Sequence, residues 1–254
     1  GATSYVVYRK VAGESVMTVC ARVSATTYLD TNVVSGEGYV YIVSAVNASG
    51  EGAYDSNGLS GVYLATPSLN QVASQGEDIV FTWNAVLGAE SYNVYRVEAG
   101  KTSWTKVANV AELSYTDVKP AKGVAYKYTV SAVKGAYESL YNTTGLEGMN
   151  FGSVDSISAV AVENGAKITW SSVPSATTYE VYRKLASSSD WQKVATVTKT
   201  EYTDTSISSG VTYNYKVKAI NGKYVAEMSC DAATVKFLAM PVINKAVITD
   251  GALK

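Results

Sequence analysis

Polar and apolar residues alternate in short runs along the whole chain. The runs "YNVYR", "YKYTVSAV" and "DIVFTW" place Tyr, Val, Thr and Trp at alternate positions, which is the period of a half-buried β-strand. Segments rich in Gly, Ser, Asn and Pro, such as "VKPAKG" and "NASGEG", separate these runs as turns. No window of eleven residues carries an apolar stripe with a helical period. The pattern predicts an all-β protein built from short strands.

The strand pattern recurs with a period of 87 residues. The motif "YVVYR" begins at Tyr5, and "YNVYR" and "YEVYR" begin at Tyr92 and Tyr179. The same offset relates Arg9, Arg96 and Arg183; Tyr28, Tyr115 and Tyr202; Asp30, Asp117 and Asp204; Gly36, Gly123 and Gly210; Tyr39, Tyr126 and Tyr213; and Trp83 with Trp170. Self-similarity at a fixed period is the signature of a repeat architecture, so the chain contains copies of one unit of 87 residues.

Each unit resembles a fibronectin type III domain, whose seven strands are lettered A to G. In the third copy "AKITW" is similar to strand B, "TTYEVYR" to strand C, "EYTD" to strand E, and "SGVTYNYKVKAIN" to the E–F turn with strand F. Tyr213 matches the family's tyrosine corner, in which a hydroxyl bonds back to the preceding turn, and so do Tyr126 and Tyr39. The resemblance implies tandem immunoglobulin-like β-sandwiches with Trp83 and Trp170 in their cores.

The register of the repeat divides the chain into four segments. These are repeat one (residues 1–66), repeat two (67–150), repeat three (151–237) and a last segment, 238–254. Gly1 aligns with Gly88, so repeat one is expected to lack strands A and B. The last segment, "LAMPVINKAVITDGALK", resembles the start of repeat three and is predicted to be strands A and B of a further unit. We expect both ends to be incomplete because a longer array of repeats has been cut inside strand B and the B–C loop.

The two incomplete ends also allow a contact between molecules. Repeat one is expected to present an open sheet edge and an uncovered apolar face, and the last segment carries residues apolar enough to cover it. Those residues are Val242, Ile243, Val247, Ile248 and Leu253. Donation of this segment to repeat one of a second copy is a form of strand addition, and it predicts head-to-tail self-association.

Composition and charge exclude several classes of function. The 254 residues carry a net charge of −1, so no basic excess exists to neutralise phosphates, and nucleic acid is not expected as a partner. No apolar run is long enough for membrane insertion. Histidine is absent, which removes the commonest general base and metal ligand. The two cysteines lie in different copies, and Cys20 replaces a valine of the other repeats, so it is expected to be a small buried apolar residue. We expect no enzyme activity, no cofactor and no metal.

Tyrosine supplies the candidate recognition residues. Of the 20 tyrosines, fifteen occupy the five repeated positions aligned with Tyr5, Tyr8, Tyr28, Tyr39 and Tyr41, which favours a role in the fold. Tyr137 and Tyr224 lie at equivalent positions in the F–G hairpin, where sandwich domains carry recognition residues, whereas repeat one has Gly50 there. They are the candidate recognition loop; the alternative is an aromatic residue that closes the hairpin.

The repeated aspartates form a second candidate site. Asp30, Asp117 and Asp204 each end a Tyr-x-Asp pattern before the E–F turn. Calcium takes six or more oxygen ligands, and each turn offers a single aspartate, so the pattern favours an Asx-type turn cap.

These observations leave two function classes open. The first is a non-catalytic spacer or stalk in a larger secreted or cell-surface protein of bacterial type, whose partners are the other domains of the same polypeptide. The second is an adhesin or a module that binds a glycan or a protein. Both imply an extracellular location.

Overall fold

The computed structural model describes residues 1–229 and 231–241 and, beyond them, the strand backbones at 248–249 and 252–253. Within these residues the regular structure is antiparallel β-strand, with no helix, which confirms the all-β prediction. The chain divides into two compact units, Gly1–Val118 with Ala125–Gly148, and Lys119–Val124 with Met149–Lys254. The domain boundaries drawn from the sequence stay predictions.

Repeat one contains a single sheet in the order β2-β1-β3-β4, with β5 also paired to β3. Its strands are β1 (Ser4–Val11), β2 (Thr18–Val23), β3 (Gly38–Asn47), β4 (Gly50–Glu51) and β5 (Leu59–Val62). They correspond to strands C, C′, F and G, with β4 closing the F–G hairpin. The segment 27–30, where the repeat places strand E, forms no strand. Strand E pairs with strand B in the other repeats, so without that partner its backbone has no ladder to join.

Repeat two contains two sheets, in the orders β10-β7-β6 and β12-β11-β8-β9, with β13 also paired to β11. Its strands are β6 (Leu69–Gln75), β7 (Asp78–Trp83), β8 (Ser91–Glu98), β9 (Thr105–Val110), β10 (Ser114–Asp117), β11 (Ala125–Lys134), β12 (Tyr137–Glu138) and β13 (Leu146–Met149). The first sheet holds strands A, B and E, and the second holds C, C′, F and G. This is the strand order that the family resemblance implies.

Repeat three has the same arrangement, with sheets β14-β15-β18 and β17-β16-β19-β20 and with β21 also paired to β19. Its strands are β14 (Ile157–Val162), β15 (Gly165–Trp170), β16 (Thr178–Leu185), β17 (Gln192–Val197), β18 (Glu201–Asp204), β19 (Thr212–Asn221), β20 (Tyr224–Val225) and β21 (Ala233–Lys236). The last segment forms a short pair, β22 (Ile248–Thr249) with β23 (Ala252–Leu253).

The pair β22–β23 repeats the register of the A–B hairpin of repeat three. Ile248 faces Leu253, as Ala161 faces Ala166 one period earlier. Of the proposed donated residues, Ile248 and Leu253 therefore lie on paired strands, and only their backbone is described. Val242, Ile243 and Val247 lie outside the described residues.

The cores of repeats two and three form between their sheets. In repeat two Ile79, Phe81 and Trp83 of strand B pack against tyrosine, valine and alanine side chains of strands C and F. The Trp83 ring lies 5.6 Å from that of Tyr92, and the equivalent rings of Trp170 and Tyr179 are also 5.6 Å apart. The expected position of both tryptophans is confirmed. Each such side chain contributes about 1.5–3 kcal/mol through burial.

A β-bulge interrupts the pairing of strands C and C′ at the same place in each repeat. The pairing of strands C and C′ shifts between Val7 and Tyr8, and at the equivalent positions before Tyr95 and Tyr182. Because side chains alternate along a strand, the valine faces the interior and the tyrosine faces outward.

Candidate functional site

Several of the repeated tyrosines bind the backbone of turns. The Val34 amide donates to the Tyr39 hydroxyl at 2.9 Å, and the Ser208 amide donates to that of Tyr213 at 3.1 Å, which confirms the tyrosine corner in repeats one and three. The hydroxyl of Tyr179 in strand C accepts the amide of Val173 in the B–C loop at 3.0 Å. These hydroxyls therefore hold turns and loops of the fold in place by accepting hydrogen bonds from backbone amides.

The aspartate before the E–F turn joins three elements of each repeat. Asp204 accepts a hydrogen bond from Arg183 at 2.7 Å and another from the Tyr215 hydroxyl at 2.9 Å. The Ser206 amide donates to its other oxygen at 2.9 Å, which is the turn cap expected from the sequence. Equivalent bonds join Arg9 and Tyr41 to Asp30, and Arg96 and Tyr128 to Asp117. The sequence predicted the cap but missed the arginine and tyrosine partners, although both follow the 87-residue offset.

The ionisation of this network follows from its burial and charge. Burial alone would raise the pKa of Asp204, but the hydrogen bonds from Ser206, Arg183 and Tyr215 lower it below its usual value. Burial and the nearby carboxylate raise the pKa of Tyr215, and the same two causes raise that of Tyr41 to about 12. Asp204 is therefore a carboxylate held by cationic and hydroxyl donors. Among the described residues there is no group of three or more acidic, cysteine or histidine side chains placed to hold a metal ion.

A second polar cluster lies on the outer face in repeats one and two. Glu138 accepts hydrogen bonds from the hydroxyls of Tyr95, at 2.5 Å, and Ser131. The Tyr95 ring stacks on that of Tyr141 with centroids 4.9 Å apart, and Trp104 meets Tyr141 edge-on at 6.1 Å. Repeat one has the equivalent bonds from Tyr8 and Ser44 to Glu51. The sequence did not lead us to predict this cluster, although its tyrosine, serine and glutamate recur in repeats one and two at the 87-residue offset.

The candidate recognition tyrosines occupy equivalent positions but different surroundings. Tyr137 pairs with Lys134 across the F–G hairpin and is 38% exposed. Tyr224 is only partly exposed, and its ring lies 6.5 Å from that of Phe151. Gly50 of repeat one pairs with Asn47, as Tyr137 pairs with Lys134, so it occupies the equivalent position as predicted. The role of Tyr137 and Tyr224 in recognition stays a prediction.

Repeat one has an open inner face. The strand C and F side chains that face the second sheet in the other repeats line a cleft of about 610 Å³ here, bounded by Tyr5, Val7, Tyr41, Val43 and the segment 25–30. Val43 is 50% exposed, whereas the equivalent Val130 and Val217 are completely buried. Asp30 keeps its bonds to Arg9 and Tyr41, so the E segment stays beside the sheet although it forms no strand.

The lone cysteine of the described residues is part of this repeat's fold. Cys20 is half-buried, like the valines at its position in the other repeats, and its Sγ contacts the Val7 carbonyl oxygen at 3.4 Å. Burial raises the pKa of its thiol, which disfavours the reactive thiolate. Over the same described residues we find no helix with the length and apolar character needed to cross a membrane.

Comparison with known proteins gives relatives of bacterial origin. No protein-family model matches the chain. Exoglucanase B of Cellulomonas fimi is 25% identical over 248 residues, covering 85% of this chain and 21% of that protein. Amylopullulanase of Thermoanaerobacterium saccharolyticum is 24% identical and covers 95% of this chain and 23% of that protein. The chain thus spans about a fifth of the length of these curated relatives.

Two solved structures extend the comparison. An Fn3-like protein from Clostridium thermocellum is 30% identical, with 35% of this chain and 95% of that chain covered and a TM-score of 0.31. A segment of two fibronectin type III domains from chicken tenascin is 22% identical, with 68% of this chain and 99% of that chain covered and a TM-score of 0.45.

Proposed function

The chain belongs to the fibronectin type III family, and we propose that it is a non-catalytic spacer segment of a larger, secreted or cell-surface bacterial protein. The family assignment follows from the strand order of repeats two and three and from the 30% identity to nearly the whole of the Clostridium Fn3-like protein. Fold alone does not define function, so the proposal rests on what the recurring polar groups do.

The observation that carries the proposal is the use of the repeated titratable groups inside the fold. In each repeat the arginine of strand C, the tyrosine of strand F and the aspartate before the E–F turn bind one another. A general acid or base has to reach a substrate proton, and these groups face the interior with their hydrogen bonds made. Recurrence of the same network in every repeat supports a structural role.

The extracellular placement is supported by the relatives. Exoglucanase B and amylopullulanase are named for enzymes that act on polysaccharides, and this chain matches about a fifth of each. A segment of that size is consistent with a non-catalytic part of such a protein. Its partners are then the neighbouring domains of the same polypeptide.

The proposal is tested in the polypeptide that carries this chain. Deleting residues 67–153 removes one period and keeps the register of the repeats on both sides. We expect the neighbouring domains to keep their activity on soluble substrates, while action on a surface-bound substrate falls because the spacing has changed. Separately, the isolated chain is expected to release no products from cellulose or starch. Turnover by the purified chain, or equal action of the shortened protein on surface-bound substrate, would contradict the proposal.

A second candidate function is head-to-tail assembly through the open face of repeat one. The cleft beside Val43 supports it, since the equivalent surface in repeats two and three is covered by an A–B hairpin. In the register of the repeat the segment 238–254 corresponds to the start, strands A and B, of a further unit.

A further inference from the structure

The outer face of the C–C′–F–G sheet in repeat three carries five lysines. Along strand F, Tyr215 and Val217 are fully buried, so the alternating residues Lys216 and Lys218 lie on the opposite, outer face. Lys216 pairs with Tyr182 of strand C, which in turn pairs with Lys193 of strand C′. We name the set formed by Lys184, Lys193, Lys216, Lys218 and Lys236 the lysine face.

Aromatic rings lie between these lysines. The ammonium groups of Lys184 and Lys216 are 5.4 and 5.9 Å from the centre of the Trp191 ring, and that of Lys218 is 5.9 Å from the Tyr182 ring. Long lysine side chains rest their apolar stems on such rings while the charged end stays at the surface. The result is a sheet surface where cationic and aromatic groups adjoin.

Positive charge dominates this face. The strands that carry the lysine face, β16, β17, β19 and β21, contain one carboxylate, that of Glu180. Glu180 accepts a hydrogen bond from Lys193 at 2.8 Å and another from the Tyr182 hydroxyl at 2.7 Å, and these bonds lower its pKa. These four strands thus hold five lysines and one carboxylate, although the whole chain has a net charge of −1.

The other repeats build the same strands with fewer of these charges: of the five positions, repeat one has a lysine only at Lys10 and repeat two only at Lys106. Positions 216 and 218 correspond to Thr129 and Ser131 of repeat two, and Val225 stands where repeat two has Glu138. Lys184 and Lys236 likewise replace Val97 and Met149, so four of the five lysines are absent from repeat two. The carboxylate bound by the outer tyrosine is Glu138 in repeat two and Glu180, in place of Asn93, in repeat three. Since the fold forms with either set, the lysines are not required by the sandwich.

We propose that the lysine face binds a linear polysaccharide that carries carboxylate groups on its sugar rings. Successive outward positions of a strand are about 6.5–7 Å apart, so Lys216 and Lys218 present a row of point charges to an extended polyanion. The rings of Trp191 and Tyr182 offer apolar surface to the CH groups of a sugar. The choice of a polysaccharide rests on the proposed extracellular location. A single exposed ion pair contributes at most about 1 kcal/mol, so affinity comes from several pairs together and falls with salt.

The test uses the full chain and polygalacturonate, a linear polymer of uronate sugars. The variant Lys216→Thr with Lys218→Ser introduces the residues of repeat two. The control variant Lys167→Thr with Lys199→Ser makes the same change in net charge away from the lysine face. Binding is measured by affinity electrophoresis over a series of salt concentrations. We expect the first variant to bind about tenfold more weakly, as loss of two exposed ion pairs implies, and the control to bind like the parent chain.

Three results would overturn the proposal. Equal loss in both variants would mean that only net charge matters, and unchanged binding in the first variant would exclude the lysine face. Binding of a single-stranded oligonucleotide or of anionic lipid vesicles as tight as that of polygalacturonate would reject a polysaccharide ligand. Native-state hydrogen exchange at the amides of strands β16 and β19 verifies that repeat three is folded in both variants. None of these results bears on the spacer function, which is measured by the deletion and turnover experiments.

Discussion

At the scale of single residues, one carboxylate links the two sheets of the sandwich in repeats two and three. Asp204 is fully buried, with Arg183 of strand C and Tyr215 of strand F both bonded to its Oδ2 atom. Charge-assisted hydrogen bonds of this kind are stronger than neutral ones, and removing one partner leaves the others buried without a counterpart. The stability of repeat three therefore depends on the charge of this side chain.

We expect Asp204→Asn to lower the unfolding free energy of repeat three by about 2–3 kcal/mol, because Arg183 loses its counter-ion in a largely buried site. Native-state hydrogen exchange at the amides of strands β15 and β19 measures it, since a chain of several domains need not unfold in one step. Asp190→Asn, in an exposed turn, is the matched control. Equal loss in the two variants would show that the buried network contributes nothing.

The same residue predicts a pH dependence. The folded-state pKa of Asp204 is lowered, so its contribution is fully present above the unfolded value of about 3.9 and is lost as the pH falls through the folded pKa. Protection of strands β15 and β19 should therefore fall in acid below about pH 4. In the Asp204→Asn variant, the part of this loss of protection that is caused by Asp204 should be absent. If protection falls with pH in the variant as it does in the parent chain, the effect belongs to other titratable groups.

At the scale of elements, the E–F turn of repeat one packs on the B–C turn of repeat two. The Ser35 hydroxyl donates to the Leu87 carbonyl at 2.9 Å, and the Lys134 ammonium donates to the Gly36 carbonyl at 2.8 Å. A Cβ atom at Gly88 would lie 2.2 Å from the Gly36 Cα atom, and Gly88 has a φ of +80°. Both the close approach and the backbone conformation therefore require glycine.

We expect Gly88→Ala to separate these two turns and to expose residues 31–37 to protease. Gly100→Ala is the control, because Gly100 has a similar φ of +88° but a Cβ atom added there would meet no atom within 4 Å. Limited proteolysis with mass spectrometry compares the two variants. Both variants carry the backbone strain of a left-handed position, but only Gly88→Ala places a Cβ atom against the neighbouring turn. We therefore expect new cleavage in residues 31–37 only in Gly88→Ala. Equal cleavage in both variants would attribute the effect to strain alone.

At the scale of the whole molecule, the open face of repeat one and the last segment allow a complementation test. We expect the parent chain to self-associate as its concentration rises, and deletion of residues 238–254 to abolish this by removing the donor. Val43→Lys should abolish it as well, because it places a charge on the apolar acceptor face. Mixed together, the two variants hold one intact donor and one intact acceptor, so they should form a 1:1 complex in sedimentation velocity. Absence of that complex would show that the segment is not donated.

Sequence alone determined the period, the strand types and the residues of the cores. Tyr, Val and Trp alternate so regularly that the inward faces of strands B, C and F could be assigned, and the tryptophan–tyrosine contacts follow them. The turn cap of Asp204 was also predictable, since an aspartate bonds to a backbone amide two residues later. These features depend on residues that are close in sequence or are repeated at a fixed offset.

Only the tertiary structure decided which side chains meet across the strands. Strand E is absent at 27–30 although its motif is present, because a β-ladder needs a second strand and the motif specifies only one. The link from Asp204 to Arg183 and Tyr215 joins residues 21 and 11 positions apart, and the lysine face gathers residues from four strands. The alternation of a strand tells which residues share a face, but the pairing of strands places Lys216 beside Tyr182. A local pattern carries no information on that pairing.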